Sequence, residues 1–111
     1  MINLKKISVL GATGSVGINI LKLILKDNKK YKVLALTAHR NYKLLSKYSK
    51  LLNVEFAAIA DDHFLNKLKS ELKYTNIKCI SGKEAICKAA KIKTDITFSS
   101  IIGVAGLKPT Y

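Results

Sequence analysis

The chain has 111 residues, of which 49% are hydrophobic, which is enough for one compact domain with a packed core and excludes a disordered chain. The formal net charge of +13 raises the question of a nucleic-acid partner, but the basic residues are spread along the whole chain and all except Arg40 are lysines. Because nucleic-acid recognition favours arginine and exposed aromatic side chains, we expect no nucleic-acid partner. The sequence contains no apolar run long enough to cross a membrane and no visible secretory signal, so we expect a cytoplasmic protein without a membrane partner.

Short apolar runs alternate with segments of helical periodicity along the chain. Four strand–helix units followed by a fifth strand predict a parallel sheet with helices on both faces, which is an α/β, Rossmann-like doubly wound fold. Such a domain usually needs a sixth strand, so we expect the chain to be the truncated first part of a longer protein. The predicted strands cover residues 6–10, 32–37, 54–60, 77–80 and 94–99, and the predicted helices cover residues 14–26, 42–52, 63–72 and 83–90. The N-caps predicted for the last three helices are Asn41, Asp61 or Asp62, and Ser81.

A glycine-rich turn of the form G-x-x-G-x-x-G joins the first predicted strand to the first predicted helix. Gly11 is expected to make the turn, and Gly17 is expected to let the helix pack against the sheet. The residues between them would lie closest to a bound phosphate, to which the start of the helix offers free N–H groups. The apolar positions 16, 20, 23 and 24 that follow have helical spacing. A tight structural turn without a ligand is the alternative interpretation.

The end of the second predicted strand carries Arg40 and no acidic residue. An NAD-binding domain would place an Asp or Glu there to accept a hydrogen bond from the ribose 2′-hydroxyl. A planar guanidinium instead suits the 2′-phosphate of NADP, and Asn41 is positioned to reach the same phosphate. The sequence therefore favours NADP over NAD, with a solvated surface arginine as the alternative.

No residues of the chain form a recognisable catalytic or metal-binding pattern. His63 is expected at the surface and His39 near the adenosine, and the pair Asp61–Asp62 is explained by the preference of helix N-termini for acids. Cys79 and Cys87 are expected to be buried, reduced thiols. We therefore predict no catalytic residue and no metal ligand within these residues.

Three blocks of the sequence resemble the N-terminal part of the 1-deoxy-D-xylulose 5-phosphate reductoisomerase family. They occur in the family's order and spacing and cover residues 7–17, 33–41 and 101–110, and the last block is the most specific. The stretch 80–82 also fits. The resemblance implies that residues 1–111 form an incomplete NADPH-binding domain, without the metal, substrate and C-terminal domains. The NADPH contacts that it implies fall on Thr13, Gly14, Ser15, Val16, Arg40 and Asn41.

The family's members are NADPH-dependent oxidoreductases of non-mevalonate isoprenoid biosynthesis. The resemblance implies conversion of 1-deoxy-D-xylulose 5-phosphate to 2-C-methyl-D-erythritol 4-phosphate, with a phosphosugar substrate, a divalent metal (Mg²⁺ or Mn²⁺) and a homodimer in the full-length protein. The 111 residues alone are expected to be inactive. His39 departs from the glycine that many members have. Another NADP-dependent reductase, such as a semialdehyde dehydrogenase, or a stand-alone nucleotide-binding module remains the alternative.

Overall fold

A computed structural model describes residues 5–27 and 30–99 of the chain. Within these residues five parallel strands form a single sheet, in the spatial order β4–β3–β2–β1–β5. The strands are β1 (Lys5–Leu10), β2 (Tyr31–Ala38), β3 (Phe56–Ile59), β4 (Lys78–Ser81) and β5 (Ile96–Ser99). The helices are α1 (Ser15–Lys26), α2 (Tyr42–Leu52), α3 (Leu65–Glu71) and α4 (Lys83–Lys91), and a 3₁₀ turn, Asp62–Phe64, precedes α3.

The strand order reverses beside β1. The chain adds β2, β3 and β4 successively on one side of β1 and then returns to place β5 on the other side. This reversal is the switch point at which open parallel sheets bind their ligands, beyond the carboxyl ends of the strands. The glycine-rich turn begins directly after β1, so it lies at that point.

Helices cover both faces of the sheet. Consecutive residues of a strand point to opposite faces, so each strand contributes side chains to the core on either side. On one face, Val9 packs in the main core with buried side chains of α1, α2 and α3. On the other face, Leu10 packs with two alanines of β2 and β3 and with Ala85 and Ala89 of α4. Small side chains on that second face let α4 lie close to the strands. The predicted doubly wound α/β architecture is therefore confirmed for the described residues.

The face of α1 that packs against the core is made by Gly17, Leu21 and Ile24. Val16 is 55% and Leu23 is 64% exposed, although both belong to the apolar run with helical spacing. Glycine at position 17 brings the helix backbone itself onto the turn, which leaves the neighbouring Val16 facing outward. Apolar spacing alone therefore does not show which residues of this helix are buried.

The predicted caps are confirmed at the start of α2 and at the start of the 3₁₀ turn that precedes α3, and the predicted cap of α4 is wrong. The side chain of Asn41 accepts from the N–H of Leu44 at 3.1 Å, and Asp61 accepts from the N–H of His63 at 3.0 Å. Gly82, not Ser81, is the N-cap of α4. The Ser81 hydroxyl instead donates to Asp62 Oδ1 at 2.6 Å, because a carboxylate from the neighbouring strand end lies within its reach.

Several element boundaries also differ from the predicted ones. The third predicted strand, 54–60, shortens to β3, and the third predicted helix, 63–72, divides into the 3₁₀ turn and α3. Residues 100–111, which include the third block of the family resemblance (101–110), lie outside the described residues. Within the described part of the chain, none of the helices combines the length and the apolar character needed to span a bilayer.

Candidate functional site

The candidate site lies along the carboxyl edge of the sheet, where the connections after β1, β2 and β3 run side by side. The three strands are adjacent and parallel in the order β3–β2–β1, so their ends meet at one edge. The connection after β1 carries the glycine-rich turn, residues 11–17. The connection after β2 carries Arg40 and Asn41, and the connection after β3 carries Asp61. The fold therefore brings both groups of predicted ligand-binding residues to the same edge.

The glycine-rich turn has the backbone that its sequence predicts. Gly11 adopts a φ of 76°, in the region that favours glycine, and its carbonyl oxygen accepts from the N–H of Gly14 at 3.4 Å. Gly14 is the N-cap of α1 and supplies no capping side chain. The N–H groups of the first turn of α1 are therefore not covered by a cap and point out of the helix at the turn.

Gly17 fixes how closely α1 approaches the turn. A Cβ atom at position 17 would overlap the carbonyl oxygen of Gly11 and would lie 2.8 Å from Ala12 Cα. Both neighbours are backbone atoms, so no side chain can move aside. The close packing predicted for Gly17 is confirmed, and it presses the first turn of α1 against the turn that follows β1.

Thr37 anchors the glycine-rich turn from the neighbouring strand. Its hydroxyl oxygen accepts from the N–H of Gly11 at 2.8 Å, and its carbonyl oxygen accepts from the N–H of Ala12 at 2.7 Å. The side chain is only 1% exposed, although it is polar. The sequence analysis did not identify this residue. Its role depends on the pairing of β1 with β2, which no local pattern in the sequence encodes.

The four turn residues predicted to contact a phosphate are accessible to a ligand. Gly14, Ser15 and Val16 are exposed and Thr13 is half-buried. Together they offer the N–H groups of a helix start and two hydroxyls, which is the donor set that anionic groups prefer. Their contact with a cofactor stays a prediction.

Arg40 and Asn41 follow β2 on the same edge. The oxygen of the Asn41 side chain is occupied by its cap bond to Leu44, so its amide group is the part that faces outward to a ligand. The side chain of Arg40 is 67% exposed. Its Nε donates to Asp61 Oδ2 at 3.2 Å. An exposed guanidinium at this position suits a phosphate, as the sequence predicted, and its role as a ligand also stays a prediction.

Asp61 brings a carboxylate to Arg40 from the connection after β3, whereas the end of β2 itself carries no acidic residue. It was recognised as a helix cap, but its proximity to Arg40 depends on the pairing of β2 with β3, which no local pattern encodes. Hydrogen bonds from the side chain and the backbone of His63 hold the pKa of the Asp61 carboxyl below its usual value, and the charges of His63 and Arg40 act in the same direction. The carboxylate is therefore ionised at neutral pH.

The two histidines and the two cysteines differ in how far they are exposed. His39 and His63 are exposed, which confirms the expected surface position of His63. Cys79 is half-buried, and its burial raises the pKa of its thiol. Cys87 is exposed, because it lies on the outer face of α4, so its predicted burial was wrong. Among residues 5–27 and 30–99 no three His, Cys, Asp or Glu side chains come together as a metal site would require.

The donor set at this edge fits a dinucleotide with an additional phosphate. The glycine positions leave room for close approach of a ligand, since a Cβ at Gly14 would meet only the Gly11 carbonyl oxygen, at 3.8 Å. Uncapped N–H groups suit a pyrophosphate, and the exposed guanidinium of Arg40 suits a 2′-phosphate. The two groups belong to adjacent strand ends, as the halves of such a ligand require.

Comparisons with known proteins identify the family to which the chain is similar. Residues 7–111 match the family model of 1-deoxy-D-xylulose 5-phosphate reductoisomerase. The reductoisomerase of Wolbachia pipientis subsp. Culex pipiens is 42% identical over 106 residues, which are 96% of this chain and 27% of the relative's length. The chain thus spans about a quarter of the length of the curated relatives that it matches.

Solved structures of reductoisomerases share the fold of this chain. The reductoisomerase of Zymomonas mobilis, solved in complex with NADPH, superposes with a TM-score of 0.89 at 40% identity, covering 91% of this chain and 27% of that one. A second reductoisomerase structure, solved with magnesium, has a TM-score of 0.85 at 24% identity, covering 95% of this chain and 27% of that one. With the family model covering nearly the whole sequence, the chain belongs to the 1-deoxy-D-xylulose 5-phosphate reductoisomerase family.

Proposed function

We propose that these 111 residues form the NADPH-binding part of a reductoisomerase. The observation that carries the proposal is the joint position of two anion-binding groups at the switch point of the sheet: the uncapped start of α1 and the exposed guanidinium of Arg40. The similar chain from Zymomonas mobilis, solved with NADPH, supports the same cofactor.

The residues of the chain would hold and orient the cofactor. The N–H groups and hydroxyls between Gly11 and Gly17 would bind the pyrophosphate, and Thr37 would keep that turn in place through its bonds to Gly11 and Ala12. Arg40 and the amide of Asn41 would bind the 2′-phosphate. When bound, NADPH supplies a hydride to the substrate. Val16, exposed at the start of α1, offers an apolar surface that keeps water away from the bound cofactor.

The proposed reaction is the family's conversion of 1-deoxy-D-xylulose 5-phosphate to 2-C-methyl-D-erythritol 4-phosphate, with a divalent metal. None of the described residues form a metal site, so none of them is proposed as a metal ligand. The proposed setting is the cytoplasm, in agreement with the two free thiols, and the proposed assembly is a homodimer of the full-length protein. Oxidation of NADPH on addition of the phosphosugar and Mg²⁺ or Mn²⁺, followed by absorbance, tests the reaction in the full-length protein. Turnover by the 111 residues alone would contradict the proposal that they bind the cofactor and that the reaction needs the full-length protein.

Replacing Arg40 with alanine should weaken NADPH binding by about tenfold and leave NADH binding nearly unchanged. The physical reason is that a charge-assisted hydrogen bond to the 2′-phosphate is lost, and NADH lacks that phosphate. Isothermal titration of the protein with each dinucleotide gives both affinities.

Lys43→Ala is the matched control, because it removes one positive charge from an exposed residue in the first turn of α2. We expect this variant to bind NADPH nearly as the parent does. Equal losses of NADPH affinity in the two variants would show a general effect of charge. Equal losses of NADPH and NADH affinity in Arg40→Ala would contradict the 2′-phosphate contact. Failure of the parent protein to bind either dinucleotide would overturn the proposed function itself.

A further inference from the structure

The carboxylate of Asp61 joins the connection after β3 to the connection after β2. Its Oδ1 accepts from the backbone N–H of His63 at 3.0 Å and lies 2.8 Å from Nδ1 of the His63 ring. Its Oδ2 accepts from Nε of Arg40 at 3.2 Å. One oxygen is thus fixed by the 3₁₀ turn, and the other is left for the guanidinium. The orientation of the carboxylate is therefore set by its contacts with His63 and not by Arg40.

The backbone holds the same two connections together. The N–H of Asp61 donates to the carbonyl oxygen of His39 at 3.0 Å, and the N–H of Ala60 donates to the carbonyl oxygen of Ala38 at 2.8 Å. The rings of Tyr42 and Phe64 stack with their centroids 5.8 Å apart. Asp61 is therefore held firmly beside Arg40, with its side chain only 17% exposed against 67% for Arg40.

We propose that Asp61 is a positioning residue that sets the cofactor preference of the site by holding Arg40 through its Nε. This inference rests on the proposed function. A guanidinium has five N–H donors in a fixed fork, and the bond to Asp61 engages the single one on Nε. The terminal nitrogens keep the other donors, with no partner among the described residues. The edge that they form can bind a phosphate through two parallel hydrogen bonds.

Two opposing effects decide whether removing the charge of Asp61 weakens or strengthens NADPH binding. An arginine that is free to rotate loses side-chain entropy on binding, which is worth up to about tenfold in affinity. The carboxylate also repels the phosphate, but the repulsion between solvent-exposed charges is small in water and weakens further in salt. Since Arg40 is largely exposed and is held by this one side chain, we expect the loss of orientation to dominate.

The test is Asp61→Asn, because asparagine can still accept the cap bond from His63 while it loses the negative charge. We expect NADPH affinity to fall about threefold to tenfold at physiological salt, with NADH affinity unchanged. In the Arg40→Ala background the same substitution should cause no further loss. Asp62→Asn is the matched control, since it removes an equal charge from the next residue and keeps an acceptor for Ser81.

A second measurement needs no cofactor. In the free protein, the Nε–H of Arg40 should exchange slowly with solvent in ¹⁵N NMR spectra, and it should exchange quickly in Asp61→Asn but not in Asp62→Asn. Tighter NADPH binding by Asp61→Asn, or the same Nε–H exchange in all three proteins, would overturn the inference while leaving NADPH binding by the parent intact. If the parent binds no NADPH, the proposed function fails, and this exchange experiment still shows whether Asp61 holds Arg40.

Discussion

Alanine at position 17 should destabilise the folded chain by about 3 kcal/mol, because the added methyl group has no space that a small movement could open. Its Cβ would overlap the carbonyl oxygen of Gly11 and press on the backbone of Ala12, both of which belong to the turn after β1. The only relief is to move α1 away from the sheet, which opens the core around the buried Leu21. Urea unfolding followed by circular dichroism measures the free-energy change.

Gly14→Ala is the matched control in the same turn. Gly14 has a φ of −75°, which any residue adopts, and the added Cβ would lie 3.8 Å from Gly11 O, an ordinary van der Waals distance. We expect its stability to stay within about 1 kcal/mol of the parent. Its dinucleotide affinity should fall nevertheless, since the methyl group would occupy the surface that faces the pyrophosphate. Equal stability of the two variants would contradict the packing role of Gly17.

The part of the fold that could be predicted from the sequence is the part that local patterns determine. Helix α2 has the predicted bounds, Tyr42–Leu52, because a capping asparagine marks its start and the apolar periodicity is regular. The order of strands and helices along the chain also followed from alternation. The apolar pattern of α1 does not reveal its buried face, because Gly17 buries backbone and no side chain, and hydrophobic periodicity does not register that.

The parts of the site that could not be predicted depend on which strands are neighbours. Arg40 and the glycine-rich turn could be identified because each follows its own strand. The partners Asp61 and Thr37 could not, because their roles arise from contacts between adjacent strand ends that are 21 and 26 residues apart in the chain. Ser81 illustrates the same limit, since its hydroxyl is engaged by Asp62, 19 residues away, and does not cap the helix that follows it.

Thr37→Val should destabilise the protein by about 2 kcal/mol, since it replaces a buried hydroxyl acceptor with a methyl group of similar size. The bond lost is the one from the N–H of Gly11, at 2.8 Å, whereas the bond from Ala12 to the backbone carbonyl of Thr37 remains. The turn after β1 would then lose one of its two hydrogen bonds to Thr37. Because that turn forms the proposed pyrophosphate site, we expect NADPH and NADH affinities to fall by the same factor.

This equal loss distinguishes Thr37 from Arg40, whose replacement should affect NADPH alone. Thr37→Ser separates the hydroxyl from the shape of the side chain, since serine keeps the oxygen that accepts from Gly11 and loses only a methyl group. We expect Thr37→Ser to retain the dinucleotide affinities of the parent and to lose only about 1 kcal/mol of stability. If serine and valine reduced the affinities equally, the hydrogen bond would not be what positions the turn. We therefore expect the two halves of the proposed site to have separate signatures: the turn would determine how tightly either dinucleotide binds, and the end of β2 would determine which one is preferred.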